Sequence, residues 1–274
     1  MSLYKGRSEV LPLVFKTSDA QLAMDVLIEI QKGNIPGHSL VHKFGRNIAV
    51  STGWEHVSLT PFDPGDFLTI PDNVRVKVGG NAADTAAGAG AQAVTVQGIV
   101  ATTFFEESES IELAGASVSA ATTKSFWRIH RAYITPGRAG AYTGANTAAI
   151  VIETDAGAPV DLLTIAAGEG QSQYAGFTIP AGKTGYLLSA TITVQTGKEV
   201  SMRMLTRANI DNVATPFDPK RLKLHFDGLV GVLQFKARSP GGGIAAKSDV
   251  WWECKGTAGA EQVSVDFELL LVDD

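Results

Sequence analysis

The chain has 274 residues and a formal net charge of −5; 45% of its residues are hydrophobic and 19% are charged. This acidic balance argues against a protein that binds nucleic acid through an electropositive face, because neutralising phosphates requires clustered lysine and arginine. The single cysteine, Cys254, excludes an intrachain disulfide scaffold and suits synthesis in a reducing compartment. No run approaches about 18 consecutive apolar residues, and no apolar stretch follows the first residues, so neither a membrane span nor a signal peptide is expected.

The first 66 residues differ from the rest of the chain in their sequence pattern, because their apolar residues follow no regular period. The apolar run from Glu9 to Phe15 contains Pro12, which lacks a backbone donor and suits an extended arm or an edge strand. Residues 18–31 fit a short helix capped by Ser18 or Asp19, which we prefer, but their alternation also fits a strand. Residues 34–47 look irregular. We predict that residues 1–66 form an extended N-terminal arm with at most one short helix, which buries its apolar groups against another molecule.

Residues 67–274 carry the pattern of many short strands. Apolar residues alternate in two successive runs, Leu188, Ala190, Ile192 and Val194, then Val200, Met202 and Met204. A period of two places each set on one face of a sheet, and glycine-containing breaks at short spacing favour antiparallel pairing. Residues 93–100 and 106–113 predict a hairpin-like pair. Residues 124–135 predict a strand with one face made of Phe126, Arg128, His130 and Ala132. The predicted fold class is therefore mostly β, an antiparallel β-sandwich, jelly-roll-like body over residues 67–274 preceded by the arm.

Two groups of residues could hold a metal ion. His38 and His42 are four residues apart, with His56 further on, but a zinc site would need the first pair on a helix, which Pro36-Gly37 and Gly45 argue against. Asn81 and Asp84 could offer oxygen ligands to Ca²⁺ together with loop carbonyls. Few carboxylates lie nearby, so a surface loop is preferred, and whether this loop binds an ion stays open.

Glu106, Glu107 and Glu109 raise the possibility of a polysaccharide-degrading enzyme, in which two carboxylates serve as acid and nucleophile. Adjacent residues of a strand point to opposite faces, however, so charges on a solvated edge explain this cluster better; such charges also discourage aggregation. The sequence predicts no catalytic residue, no metal and no cofactor.

Six short stretches give the chain a recognisable signature. They are residues 33–47 (GNIPGHSLVHKFGRN), 84–91 (DTAAGAGA), 126–132 (FWRIHRA), 167–171 (AGEGQ), 179–184 (IPAGKT) and 267–273 (FELLLVD). In this order they resemble a family of structural proteins in tailed-bacteriophage virions, including those of cyanophages and other marine phages. The resemblance covers roughly residues 30–274.

The resemblance implies a protein that is not an enzyme. We expect a capsid cement or decoration protein, made in the host cytoplasm and located on the capsid surface, where it bridges and stabilises neighbouring major capsid subunits. The expected partners are the major capsid protein and the chain itself, as a homodimer or homotrimer, with no nucleic acid and no membrane. The alternative is a neck, tail or fibre component, with or without a carbohydrate-binding surface. The residues predicted to contact the partner are Leu11, Leu13, Phe15, His38, His42, Phe44, Arg46 and Trp54.

Overall fold

The computed structural model describes residues 14–17, 20–23, 25–60, 71–77, 82–136, 145–214, 218–237 and 242–274; of residues 14–17 and 20–23 it describes the backbone only. These residues are mostly in antiparallel strands, which confirms the predicted fold class. In chain order the strands are β1 (Val14–Thr17), β2 (Ala20–Ala23), β3 (His38–Val50), β4 (Glu55–His56), β5 (Val74–Val76), β6 (Ala93–Val100), β7 (Glu106–Glu112), β8 (Phe126–Thr135), β9 (Ile150–Thr154), β10 (Asp161–Ile165), β11 (Gly176–Thr178), β12 (Lys183–Val194), β13 (Val200–Arg207), β14 (Arg221–Leu229), β15 (Val232–Lys236), β16 (Asp249–Gly256) and β17 (Glu261–Asp273).

One short helix, α1 (Val26–Gln31), is present in the described part of the chain. It begins at Asp25, whose carboxylate accepts a hydrogen bond from Leu27 N at 3.0 Å. The predicted caps Ser18 and Asp19 lie outside the described residues, and residues 20–23 between them and the helix form strand β2. The preferred helix is therefore confirmed over residues 26–31 but is shorter than predicted, because residues 20–23 form a strand. The strand alternative is wrong for Val26, Ile28 and Ile30, which lie in the helix.

Two sheets form a first sandwich. Sheet I has the order β15-β12-β17-β3, and sheet II has the order β11-β16-β13-β14, with β4 also paired to β16. Their facing sides bury one apolar core, which includes Trp252, Phe267, Phe177, Met202 and Met204. The alternating residues from Ala190 to Met204 enter this core as predicted, but Leu188 does not, because the pairing of β12 with β17 shifts between Leu187 and Ser189. Strands β12 and β13 lie in different sheets and face each other across the core.

Two further sheets form a second sandwich, which the sequence did not indicate. Sheet III has the order β7-β6-β8, and sheet IV has the order β10-β9-β5. They enclose a separate, largely aliphatic core that includes Val96, Ile152, Leu162 and Leu163. The second sandwich is thus formed from residues 71–174 and interrupts the first between β4 and β11.

Strand β3 corrects the prediction that residues 34–47 are irregular. Residues 38–50 pair with β17 in an antiparallel ladder that is regular from His38↔Val272 to Asn47↔Val263. The strand was missed because Lys43, Gly45 and Asn47 occupy inward positions, so no apolar alternation marks it. Residues 38–50 and 55–56 are therefore strands of the body's own sheets and not of a separate arm. Residues 1–13 lie outside the described residues.

The strand over residues 124–135 also departs from simple alternation. Two bulges interrupt the pairing of β8 with β6, one opposite Gln97 and Gly98 and one opposite Ile99 and Val100. A bulge shifts the side-chain phase by one residue. Phe126, Ile129 and Ala132 consequently point into the second core, whereas the predicted face grouped Phe126 with Arg128 and His130.

Candidate functional site

Four of the predicted contact residues share one face of β3. His38, His42, Phe44 and Arg46 stand two or four residues apart, and successive side chains of a strand alternate between its faces. All four are half-buried or exposed, whereas Lys43, Gly45 and Asn47 between them are buried. The regular ladder therefore brings these four residues together on the outer face of sheet I.

This outer face continues across the neighbouring strand with mixed polarity. His42 is opposite Glu268 and Phe44 is opposite Asp266 in the ladder with β17. The His42 Nε2 atom lies 3.4 Å from Asp266 Oδ1 in an exposed pair. Leu40 is opposite Leu270, and both are half-buried. The face thus combines apolar contact area with charged groups, as protein interfaces with polar rims do.

Trp54 is not part of this group. It precedes β4 in sheet II, and its ring packs against its own chain: the Arg203 guanidinium lies 4.2 Å from the ring centroid, and His225 meets the ring edge-on at 5.5 Å. Trp54 and the four β3 residues therefore lie on different sheets. Of the other predicted contacts, Leu11 and Leu13 lie outside the described residues, as does the side chain of Phe15.

Strand β3 is also an edge strand, and its backbone pattern can be worked out from one bond. Asp273 N donates to Gly37 O at 2.8 Å, which makes Gly37 and Asp273 a hydrogen-bonded pair. Bonded and non-bonded pairs alternate along an antiparallel ladder. The odd residues of β3 therefore bond to β17, and the even residues, including His42 and Phe44, point their N–H and C=O groups away from the sheet.

The second half of this edge is partly covered by the segment that leads into β11. Arg46 N donates to Gln173 O at 3.5 Å, and the chain passes so close to Gly45 that an added Cβ would lie 2.3 Å from Ala175 N. Only glycine fits this approach. The same segment joins the second sandwich, where Ser172 N donates to Ala132 O at 2.8 Å.

Where β3 and this segment diverge, they leave a cleft of about 380 Å³ between the two sandwiches. Its lining residues are His42, Lys43, Phe44, Arg131, Gln171 and Ser172. Lys43 is only 7% exposed, and its ammonium group donates to His130 O at 2.5 Å. Burial and the positive charge of Arg131 lower the pKa of Lys43, and the negative charge of Glu106 raises it. Burial is the largest of these causes, and the resulting pKa of Lys43 is about 7.

Behind Lys43, the buried His130 lies beside the partly buried Glu106, two residues that the sequence analysis did not connect. His130 is buried, and neither of its ring nitrogens has a hydrogen-bond partner among the residues that the structure describes. Glu106 Oε1 lies 3.6 Å from His130 Nε2. Burial lowers the pKa of His130 well below its ordinary value and raises the pKa of Glu106. His130 is therefore neutral at pH 7, so the contact with Glu106 is not an ion pair.

A buried ion pair fixes the two sandwiches to each other beside this cluster. The Arg128 guanidinium in β8 donates to Asp249 in β16 at 3.0–3.2 Å, and Thr178 Oγ1 donates to Asp249 Oδ1 at 2.7 Å. Both charged side chains are almost fully buried. The signal in the sequence is a charge within or at the start of an apolar run, Phe-Trp-Arg-Ile in one case and Asp-Val-Trp-Trp in the other.

The residues considered for metal binding have other roles in the structure. In the described ranges no group of three His, Cys, Asp or Glu side chains could hold a metal ion. His38 and His42 lie on sheet I, whereas His56 is buried in sheet II, 4.0 Å from Glu253. Asp84 accepts hydrogen bonds from Ala91 N, Thr147 N and Oγ1, and Ala148 N, so its oxygens serve to fix loops. Asn81 lies outside the described residues.

Glu106 and Glu109 of β7 point to opposite faces of the strand, whereas Glu107 lies on the same face as Glu109, 3.0 Å from Lys124. Glu109 accepts hydrogen bonds from Thr123 N, Thr123 Oγ1 and Lys124 N at 2.7–3.0 Å and so fixes the start of β8. Glu106 lies beside His130 at the junction. The two carboxylates are thus held in separate surroundings. Cys254 is buried, and burial raises the pKa of its thiol, which keeps it protonated.

Comparison with known proteins adds little. No family model matches the chain, and no curated protein matches it. Among solved structures, the chain is similar to one from infectious bursal virus derived T=1 particles, with 8% sequence identity and a TM-score of 0.21, over 90% of this chain and 79% of that chain. At so low a TM-score the likeness carries no argument about fold or function. None of the described helices is long and apolar enough to cross a membrane.

Proposed function

We propose that this chain is a non-enzymatic structural protein of a tailed-bacteriophage virion, which binds the capsid surface and bridges neighbouring major capsid subunits. It is made in the host cytoplasm, forms a homodimer or homotrimer, and needs no cofactor. Two lines of support meet here. The six collinear stretches resemble virion structural proteins, and one of them, residues 33–47, contains most of β3.

The observation that carries the proposal is the placement of His38, His42, Phe44 and Arg46. They lie on one outer face of an edge strand that is fixed in a sandwich, so a partner meets a preformed surface. Binding through a rigid surface avoids much of the ordering cost that a loose segment incurs. The proposed contact thus belongs to the body at residues 38–46, and residues 1–24 add apolar anchors such as Leu11, Leu13 and Phe15.

The energetics of such a contact suit a repeated shell. Burying apolar surface contributes about 25 cal/mol per Å², so a half-buried Phe44 and its apolar neighbours on sheet I supply a modest affinity at each site. Two or three copies linked in one oligomer raise the effective concentration of the remaining contacts, which increases the total affinity without new contacts. Oligomeric state is measured by light scattering, and a monomer would remove this part of the proposal.

Labelling of virions tests the proposed function directly. Antibodies raised against the purified protein are applied to virions of the phage that encodes it, and the gold particles are located by electron microscopy. We expect many labels distributed over the head. Labels confined to one vertex or to the tail would favour the neck, tail or fibre alternative, and unlabelled virions would reject a virion protein.

Surface variants test the site. Phe44→Ala and Arg46→Ala should each weaken binding to purified capsids in co-sedimentation, because both side chains project from the proposed contact face. Gln234→Ala is the matched control, since it lies on β15 at the opposite edge of the same sheet and is exposed. Equal binding by all three variants would place the contact elsewhere on the molecule.

A further inference from the structure

Within the described residues, the edge of β3 has a row of backbone N–H and C=O groups without a hydrogen-bond partner. Leu40, His42 and Phe44 direct their N–H and C=O groups away from β17, by the alternation that the Gly37–Asp273 bond fixes. Further along, Arg46 N is already bonded to Gln173 O, so the open part of this edge ends at Phe44. From Leu40 to Phe44 it is about 13 Å long at ~3.3 Å per residue. This length accepts about five residues of an extended chain.

The cleft beside this edge has one sign of charge. Its six lining residues include His42, Lys43 and Arg131, and none of the six is acidic. Glu106 lies behind Lys43 and His130, and Asp266 faces His42 on the outer face; neither lines the cleft. Arg131 Nη2 also donates to Gln171 Oε1 at 3.3 Å, which holds one wall. A carboxylate that enters the cleft would meet the Arg131 guanidinium and the buried Lys43 amine, and its negative charge would favour the ammonium form of that amine.

We propose that an extended, acidic segment of a partner protein pairs with the β3 edge from Leu40 to Phe44 as an added strand and places a carboxylate between Lys43 and Arg131. Main-chain hydrogen bonds to an exposed sheet edge supply the affinity in this mode of recognition, and side-chain pockets supply the specificity. The identity of the partner as a capsid subunit rests on the proposed function. The extended shape of the segment is inferred from the β3 edge, and its negative charge is inferred from the cationic cleft.

A second copy of this chain fits the edge less well. Antiparallel self-pairing about His42 would place Lys43 opposite Val41 of the second copy and bring two cationic clefts side by side. Like charges in close apposition oppose such pairing. An acidic partner removes this repulsion, and it also satisfies the two ammonium donors of Lys43 that the His130 carbonyl leaves unused.

A peptide titration tests the inference without any virion. The ¹⁵N-labelled protein is titrated with the capped peptide Thr-Val-Asp-Val-Thr, and in parallel with the same peptide carrying Asn in place of Asp. We expect the amide signals of Leu40, His42 and Phe44 to shift more than those of the odd residues between them. The Asp peptide should bind about tenfold more tightly than the Asn peptide, because its acceptor is charged. No shift at millimolar peptide, or equal affinities, would overturn the inference.

Variants of the β3 edge and of the cleft test whether these two features contact the capsid. His42→Pro removes an outward N–H but no bond to β17, and proline is tolerated where an edge N–H faces solvent. His42→Ala is its control, because it removes the same side chain and keeps the backbone donor. Arg131→Gln tests the cleft through an exposed side chain if the proline variant does not fold. We expect His42→Pro to reduce capsid binding at least about tenfold relative to His42→Ala, and Arg131→Gln to reduce it at least about tenfold relative to wild type.

The outcomes separate the two proposals. If the wild-type protein binds capsids and the His42→Pro and Arg131→Gln variants bind equally well, the edge is not the contact, and this inference fails while the proposed function stands. If wild-type protein binds no part of the virion but the Asp peptide still shifts the β3 amides, the proposed function fails and the edge remains a site for acidic extended segments.

Discussion

The two sandwiches differ in how the chain builds them. The first joins residues near both ends of the described chain, since β3 pairs with β17, and its core is rich in aromatic and sulfur-containing side chains. The second is formed from the continuous stretch 71–174 and has a largely aliphatic core. The candidate cleft belongs to neither alone, because β3 supplies one wall and Arg131 with residues 171–172 supplies the other. A site at such a junction is only as well defined as the contact between the two bodies.

The largest expected effect comes from breaking the buried pair at the junction. Asp249→Ala removes the carboxylate that balances the buried charge of the Arg128 guanidinium, which should lower the free energy of unfolding by about 3–5 kcal/mol. Asp211→Ala is the control, because Asp211 forms an exposed pair with Lys247 and should cost at most about 1 kcal/mol. Urea unfolding measures both. Equal losses would mean that the Arg128–Asp249 pair does not hold the two sandwiches together.

A matched pair of core truncations asks whether the sandwiches unfold together. Met202→Ala in the first core and Leu163→Ala in the second should each cost about 2–5 kcal/mol, since both side chains are fully buried. A third apolar cluster, formed by Ile99, Trp127 and Ile210, connects the sandwiches. We therefore expect one cooperative transition that both variants shift. Two transitions, each moved by one variant, would show that the sandwiches are independent.

The close approach of the chain to β3 predicts a smaller loss. Gly45→Ala places a methyl group 2.3 Å from Ala175 N and 2.6 Å from Val57 O, which are backbone atoms that cannot move freely. We expect a loss of about 1–3 kcal/mol. Gly157→Ala meets no atom within 4 Å and should stay within about 0.5 kcal/mol of wild type. Equal melting behaviour of the two variants would mean that residues 173–175 do not pack on β3.

Per pH unit, the smallest effect is the pH dependence of stability. The pKa of Lys43 is about 7 in the folded protein, below that of a lysine in an unfolded chain. The unfolded state therefore binds more protons between these two values, and the free energy of unfolding rises with pH from about 7 to about 10, by at most about 1.4 kcal/mol per pH unit. Lys43→Met should remove this slope in urea titrations across that range.

The control for the pH experiment is Lys236→Met. Lys236 is exposed on β15, at the other edge of sheet I, so its loss should leave the wild-type slope intact. A slope that is the same in wild type and in Lys43→Met would show that the Lys43 ammonium is not buried at the junction.

Local patterns made part of this fold predictable. The alternation through Ala190, Ile192, Met202 and Met204 predicts buried positions correctly because it depends only on the period of a strand. The predicted hairpin-like pair of residues 93–100 and 106–113 is also confirmed, since β6 pairs with β7 and the two strands are neighbours in the chain. What these patterns do not contain is the sheet to which each strand belongs, so two cores were not distinguished.

The candidate site was only half predictable. His38, His42, Phe44 and Arg46 were selected, but as parts of an irregular arm, because the strand turns Lys43, Gly45 and Asn47 inward instead of apolar side chains. Lys43 itself was missed for the same reason. The bulges of β8 hid His130, since a shift of phase cannot be read from alternation. Strand β3 pairs with a strand more than two hundred residues away, and Lys43 meets His130 across 87 residues, so neither contact leaves a local signal in the sequence.

The insertion of the second sandwich has a consequence for synthesis on the ribosome. β3 ends at residue 50 and β17 begins at residue 261, so roughly 210 residues must be translated before β3 can meet its ladder partner. At about 5–20 residues per second this takes roughly 10–40 s. During that interval β3 is a nascent strand with both edges open, while the continuous stretch 71–174 can already close its own core. The inserted sandwich therefore emerges complete first, and the strand that carries the proposed contact is secured last.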